Sequence, residues 1–173
     1  MHVFWVTSRA AGIAALVFAS LSVGLGLAMA ARLARGRFRD PRALHEALSL
    51  ATLAALGVHA LALLGDSYLH PSLADISIPF ASAYQRGWMA LGVVAGWSLL
   101  LLGLSFYARG RIGVARWRTA HRFTALAWLA GVVHALGMGT DAGRPWFLAA
   151  TAAVALPAIG LLALRLTPEP VRA

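Results

Sequence analysis

The 173-residue chain contains no cysteine, no lysine and no asparagine, and Gln85 is its only glutamine. Without cysteine there can be no disulfide, no thioether-attached prosthetic group, no thiolate-held iron–sulfur cluster and no thiol catalysis. Redox chemistry in such a chain has to come from a non-covalently bound group. Acidic residues are also scarce, six against fifteen arginines, which gives a formal net charge of +9. The abundance of Ala, Gly and Arg points to a GC-rich coding sequence rather than a chemical need for guanidinium, so the charge does not imply a nucleic-acid partner.

What is present is apolar. Hydrophobic residues make up 60% of the chain and charged ones 12%, the mean hydropathy is +0.75, and runs of membrane-spanning length recur. The expected fold is an all-α integral membrane protein, a five-helix transmembrane bundle with spans near 10–31, 43–64, 86–106, 119–138 and 147–165, all within one domain over residues 1–173. The loops differ sharply in charge. Arg32, Arg35, Arg37, Arg39 and Arg42 stand against Asp40 alone in one, and Arg109, Arg111, Arg116 and Arg118 fill another. Both are expected to be cytoplasmic. Loops 65–85 and 139–146 hold Asp66, Asp75 and Asp141 against Arg144 and are expected outside. The N-terminus then lies outside and the tail 165–173 inside. Ala28-Met29-Ala30 resembles a signal-peptidase site, but the long apolar run and the five arginines after it favour a retained span. Asp40 and Pro41 form a helix start for the second span, which is expected to break at Gly65-Asp66.

Four histidines lie within the apolar segments: His45 and His59, fourteen residues apart, and His121 and His134, thirteen apart. At about 1.5 Å per residue each pair is separated by about 20 Å along a helix axis, two thirds of a hydrocarbon core about 30 Å thick. Intramembrane histidines face the bundle interior and mark a proton, ion or cofactor path. Spans two and four both start from a cytoplasmic loop and run parallel, so His45 shares a depth with His121, and His59 with His134. Two bis-imidazole sites result, and two stacked haems are the expected occupants, because neutral imidazole is a common haem-iron ligand. A fourteen-residue step returns to within about 40° of the same helix face, whereas a thirteen-residue step misses by about 140°. Span four is therefore expected to bend or change pitch, with Gly131 the residue that permits it.

Arg118 and Arg122 flank His121, and Arg42 precedes His45, so these guanidiniums are candidate partners for inner haem propionates. Arg86 and Arg144 are the outer counterparts. Gly92 and Gly96, with Gly103 beyond them, read as a small-residue stripe for close helix packing. Trp88, Trp97, Trp128 and Phe123 are expected to line interfaces or fill the core. His70, with Tyr68, Asp66 and Asp75, is a secondary candidate for a metal or substrate site in the outer loop, and His2 a remoter one. Glu46, beside His45, is the one acid placed to carry a proton.

At His45–His59 and His121–His134 the chain resembles the ferric reductase-like transmembrane domain, shared by ferric reductases, NADPH oxidases and the haem membrane subunit of the bacterial methionine sulfoxide reductase system. Arg116-Trp117-Arg118-Thr119-Ala120-His121-Arg122, followed by His134-Ala135, is similar to that family's fifth-helix signature. The resemblance implies two b-type haems passing electrons singly from a cytoplasmic donor to an acceptor on the far side, with His45 and His121 on the inner iron and His59 and His134 on the outer. It departs from the larger members in having five expected spans instead of six and no flavin or nicotinamide segment. The reductant is then expected to be separate: a flavoprotein reductase, a quinol or another redox protein.

The reading is a subunit that moves electrons across a bacterial plasma membrane to an outward-facing acceptor. The alternatives are a quinol-linked respiratory cytochrome b, for which the scarcity of amides and intramembrane acids leaves little of a polar pocket, and a haem-free assembly factor or small-solute carrier. A carrier would show repeats and broken helices. Pro157 is the only mid-span proline.

Overall fold

A computed structural model of the chain describes residues 3–167. His2 and the tail residues 168–173 lie outside the described residues. Every regular element among the described residues is helical. Helix α1, Val3–Ala30, runs through uninterrupted apolar sequence and closes on a turn with Arg32 and Gly36 at positive φ. Helix α2, Pro41–Leu64, starts where expected: the Asp40 carboxylate accepts from the backbone N–H groups of Arg42 and Ala43 at 3.1 and 3.0 Å, with Pro41 in the first turn. Its end falls at Gly65.

The segment 65–85 is not the plain loop expected. It holds a short helix, α3, Leu73–Ser77, closed by a capping box in which Ser72 and Asp75 satisfy each other's backbone N–H groups. The Ser72 hydroxyl, which donates to Asp75 Oδ2 at 2.6 Å, and then the Ser72 backbone N–H hold the Asp75 carboxyl below its usual range. The indole N–H of Trp97 donates to the Ser77 carbonyl at 2.8 Å, and Arg86 Nε donates to the Phe80 carbonyl at 2.8 Å. These two bonds fold the segment back along helix α4, Arg86–Leu104.

The expected span 119–138 is not continuous. After the short α5, Arg109–Ile112, it forms α6, Val114–His121, and α7, Thr124–Gly137. The interruption lies at Arg122–Phe123, where the Phe123 N–H bonds the Ala120 carbonyl three residues back. A turn of this type advances about 120° per residue instead of about 100°, so it rotates His121 relative to His134. The deviation therefore sits directly after His121 and not at Gly131, which α7 passes through without a break. The last helix, α8, Pro145–Leu166, keeps Pro157 in its interior.

Helices α1, α2, α4 and α8 are each long and apolar enough to cross a membrane, whereas α7 alone is not. Their outward faces are apolar: Leu61, Leu101, Leu156 and Leu164 are all more than half exposed. A helix that is apolar all round is matched to lipid, not water. Helix α1 is the hub, packed on α2, α7 and α8, while α4 packs chiefly on α7. The core joins Leu16, Ala19 and Val23 of α1 to Trp128 and Val132 of α7 and to Phe147, Ala155 and Ala158 of α8. Trp128 is its largest member, with its indole N–H donated to Ser20 Oγ at 3.0 Å and Ser20 in turn bonded to the Leu16 carbonyl. At one end Arg9 pairs with Asp141 and lies over Trp5 and Trp146, tying the start of α1 to the loop between α7 and α8.

Trp128→Ala would empty that core position and leave the Ser20 hydroxyl with its Leu16 bond alone. The expected loss is about 3 kcal/mol, read as a lowered thermal unfolding midpoint in detergent.

Candidate functional site

The two histidine-bearing elements face each other without being packed together, since α2 lies on α1 and α7 lies on α4. His45, one turn into α2, and His121, the last residue of α6, have ring centroids 6.3 Å apart and planes at 88°. This contact also places both arginine-rich turns at one end of the bundle. Toward the other end lie His59, near the end of α2, and His134, near the end of α7. The structure thus brings His45 and His121 together, as expected from the sequence.

Each ring is held from behind. His45 Nδ1 lies 2.9 Å from the Ser22 carbonyl, His59 Nδ1 2.8 Å from the Ser8 carbonyl and His134 Nδ1 2.8 Å from the Trp88 carbonyl. A carbonyl can only accept, so in all three rings Nδ1 carries the proton and Nε2 keeps its lone pair free. Metal-bound histidine uses this arrangement, donating its second ring N–H to an outer partner. Helical carbonyls are already bonded within their own helix, so a second donor needs close approach. Glycine four residues on provides it: a Cβ on Gly12 would lie 3.0 Å from His59, one on Gly26 3.2 Å from His45, and one on Gly92 2.5 Å from His134. Gly92 therefore lets α4 approach α7 closely, as the small-residue stripe suggested, and the neighbour it admits is an imidazole. His121 differs. Its Nδ1 is buried without a partner, although the Leu102 carbonyl lies nearby, and Phe106 occupies the place four residues after Leu102. Trp117 stacks on the His121 ring at 5.0 Å and 27°.

Two imidazole–metal bonds of about 2 Å each, laid end to end, together with the two ring radii, account for the 6.3 Å between His45 and His121. The donor set, neutral imidazoles in an apolar gap, suits a bis-histidine iron porphyrin. A bare ion does not suit it: among the described residues no three His, Asp or Glu side chains gather into an ion-binding group. In the outer loop the candidate residues are not gathered into such a group. The Asp66 carboxylate accepts from the Tyr68 and Leu69 N–H groups, Asp75 is used in its capping box, and His70 is exposed at φ 43°. Tyr68 and Asp75 instead line, with Leu63, Ser82, Tyr84 and Met89, a half-open cavity of about 530 Å³ at the end of the bundle nearer His59.

Arg118 and Arg122 are exposed beside His121 and make no hydrogen bond or ion pair among the described residues. Trp128 belongs to the core, as expected, and Trp88 covers Gly137. The backing serines Ser8 and Ser22 did not stand out in the sequence. Ser8 with Gly12 and Ser22 with Gly26 are offset by the same fourteen residues as His59 and His45, and that repeat was the available signal.

Residues 11–132 match the family described as the ferric reductase like transmembrane component. The chain belongs to this family. The match covers His45, His59 and His121 and ends two residues before His134. Comparison with curated proteins and with solved structures returns no match. Members of this family are multi-pass membrane proteins whose transmembrane domains generally bind haem and serve electron transfer, in line with the spans found here.

At the arginine-rich end Tyr107 donates its hydroxyl to Glu46 Oε1 at 2.7 Å. That bond needs the protonated phenol, and the Glu46 charge adds to the effect, so Tyr107 ionises above the usual tyrosine range. Glu46→Ala should bring one of the three tyrosines down to an ordinary titration, measured by phenolate absorbance.

Proposed function

We propose that this chain is a di-haem b-type cytochrome subunit that moves electrons one at a time across a bacterial plasma membrane, from a separate cytoplasmic or membrane donor to an outward-facing acceptor. The observation that carries the reading is the His45–His121 pair, whose 6.3 Å ring spacing would let both imidazoles hold one haem iron. His45 and His121 hold the inner haem, and His59 and His134 the outer. Residues 1–173 act as one domain, and the arginine-rich end is cytoplasmic. On this reading the end of α6 and α7 together form a fifth crossing: residues 119–137 make about 28 Å of helix, against about 30 Å of hydrocarbon.

When bound, haem supplies the ferric–ferrous couple that accepts and releases single electrons. The protein's residues do the rest. Ser8, Ser22 and Trp88 carbonyls keep three imidazoles in the tautomer that presents Nε2 and raise its basicity. Arg118 and Arg122, free of other partners among the described residues, offer guanidinium forks to the inner propionates, with Arg42 beside them. The apolar faces of α1, α4 and α7 exclude water, so an electron crosses without a proton being drawn into the bilayer. Outward, the cavity bounded by Tyr68, Tyr84, Ser82 and Asp75 gives an acceptor access near the outer site.

The test is haem content together with its spectrum in single variants. His59→Ala or His134→Ala should halve the bound haem and leave the remainder reducible, and His45→Ala or His121→Ala should stop cytoplasmic electrons from reaching the outer haem. If all four variants keep their full haem content, these histidines are not the ligands.

A paired substitution tests the backing glycines. Gly92→Ala pushes a methyl into the His134 ring, whereas at Gly96 an added methyl meets open space. Gly92→Ala should lose outer haem during purification and Gly96→Ala should retain it, measured as haem absorbance per protein.

A further inference from the structure

Helix α1 carries one device twice. At each position a serine presents both its carbonyl and its hydroxyl to an α2 histidine, and a glycine four residues on lies against the same ring. Ser8 Oγ is 3.0 Å from His59 Nδ1 and donates to the His59 carbonyl at 3.1 Å. Ser22 Oγ is 3.1 Å from His45 Nδ1 and 2.8 Å from Ser49 Oγ, which donates to the His45 carbonyl at 2.8 Å. The directions close without conflict. The imidazole N–H is shared between a serine carbonyl and a serine hydroxyl, and the hydroxyl donates toward the histidine carbonyl, directly at His59 and, at His45, through Ser49 with a longer direct contact of 3.5 Å. The residue fourteen beyond Ser49 is Leu63, so the outer clasp has no relay. Nothing equivalent serves the other pair, because His134 has the Trp88 carbonyl alone and His121 has no bonded partner.

We infer that Ser8 and Ser22 are positioning residues that set the redox potentials of the outer and inner haems separately, each through the Nδ1–H of one axial histidine. This rests on the di-haem reading and goes beyond it by assigning the tuning to α1. The physical route is ligand basicity. An extra acceptor on Nδ1–H gives the imidazole more anionic character, which favours ferric over ferrous iron. Removing the hydroxyl takes away that acceptor and leaves the carbonyl in place, so the affected haem becomes easier to reduce. The close approach of α1 to α2 is kept, since the carbonyl bonds to both rings and the glycines stay while one interhelical hydroxyl bond is lost.

The experiment is a spectroelectrochemical titration of the purified haem-loaded protein, of Ser8→Ala and of Ser22→Ala, with His59→Ala used to identify which wave belongs to the inner haem. Ser8→Ala should keep both haems and shift the ferrous-to-ferric ratio of the outer one about two- to tenfold toward ferrous at a fixed potential, the worth of one hydrogen bond, with the inner wave unmoved. Ser22→Ala should do the same to the inner wave alone. Ser8→Thr, which restores a hydroxyl, should return the outer wave to its original place. Unmoved waves in both alanine variants, with two haems bound, overturn the inference and leave the di-haem reading standing. If Ser8→Ala sheds the outer haem, retention by Ser8→Thr supports the hydroxyl's role, and loss in both variants shows that Ser8 only packs. A wild-type protein that binds no haem defeats the underlying reading instead.

Discussion

An imidazole inside a bilayer has two nitrogens to satisfy, and the way this chain satisfies Nδ1 governs the layout of its helices. Water is absent and side-chain acceptors are few, so the acceptor has to be a carbonyl whose first lone pair already serves its own helix. The second lone pair is reachable only where the residue four places on leaves the carbonyl uncovered. Gly12, Gly26 and Gly92 do this for Ser8, Ser22 and Trp88. Where Phe106 takes that place after Leu102, the bond to His121 is missing. The close approach that the bond demands presses α1 onto α2 and α4 onto α7, and each histidine helix is then backed by a partner instead of meeting the other histidine helix.

That backing leaves α2 and the α6–α7 segment facing each other, with the Nε2 lone pairs of His45, His59 and His134 available. Helix α1 takes part on both of its sides. One face clasps His45 and His59, and another joins Trp128 and the α8 alanines in the core. The ion pair of Arg9 with Asp141 fixes the end of α1 beside Ser8 to the loop that follows α7, so the second shell of His59 and the helix carrying His134 are held in one frame.

Composition alone gave the membrane class, and the histidine positions gave the His45–His121 contact, because depth along a helix follows directly from residue count. The capped start of α2 was equally legible, since Asp40 and Pro41 act locally. The break in the fourth span was foreseen as a geometric need from the thirteen-residue interval, yet its place was not. Gly131 is conformationally permissive but packed near Ala95, and the turn formed instead at Arg122–Phe123, where no glycine or proline marks it. The helix α3 was missed because its capping box lies inside a stretch read only for charge. The serine clasps escaped notice for a different reason: Ser8 and Ser22 are ordinary residues in an apolar helix, and only their register with α2 gives them a role.

The central claim is that two iron porphyrins sit between these two helices, and the most direct measurement is haem per polypeptide with a dithionite-reduced minus oxidised spectrum. It is made on detergent-purified protein produced with adequate haem supply. The account predicts close to two b-type haems per chain. A folded protein that holds none, or only one, would contradict it.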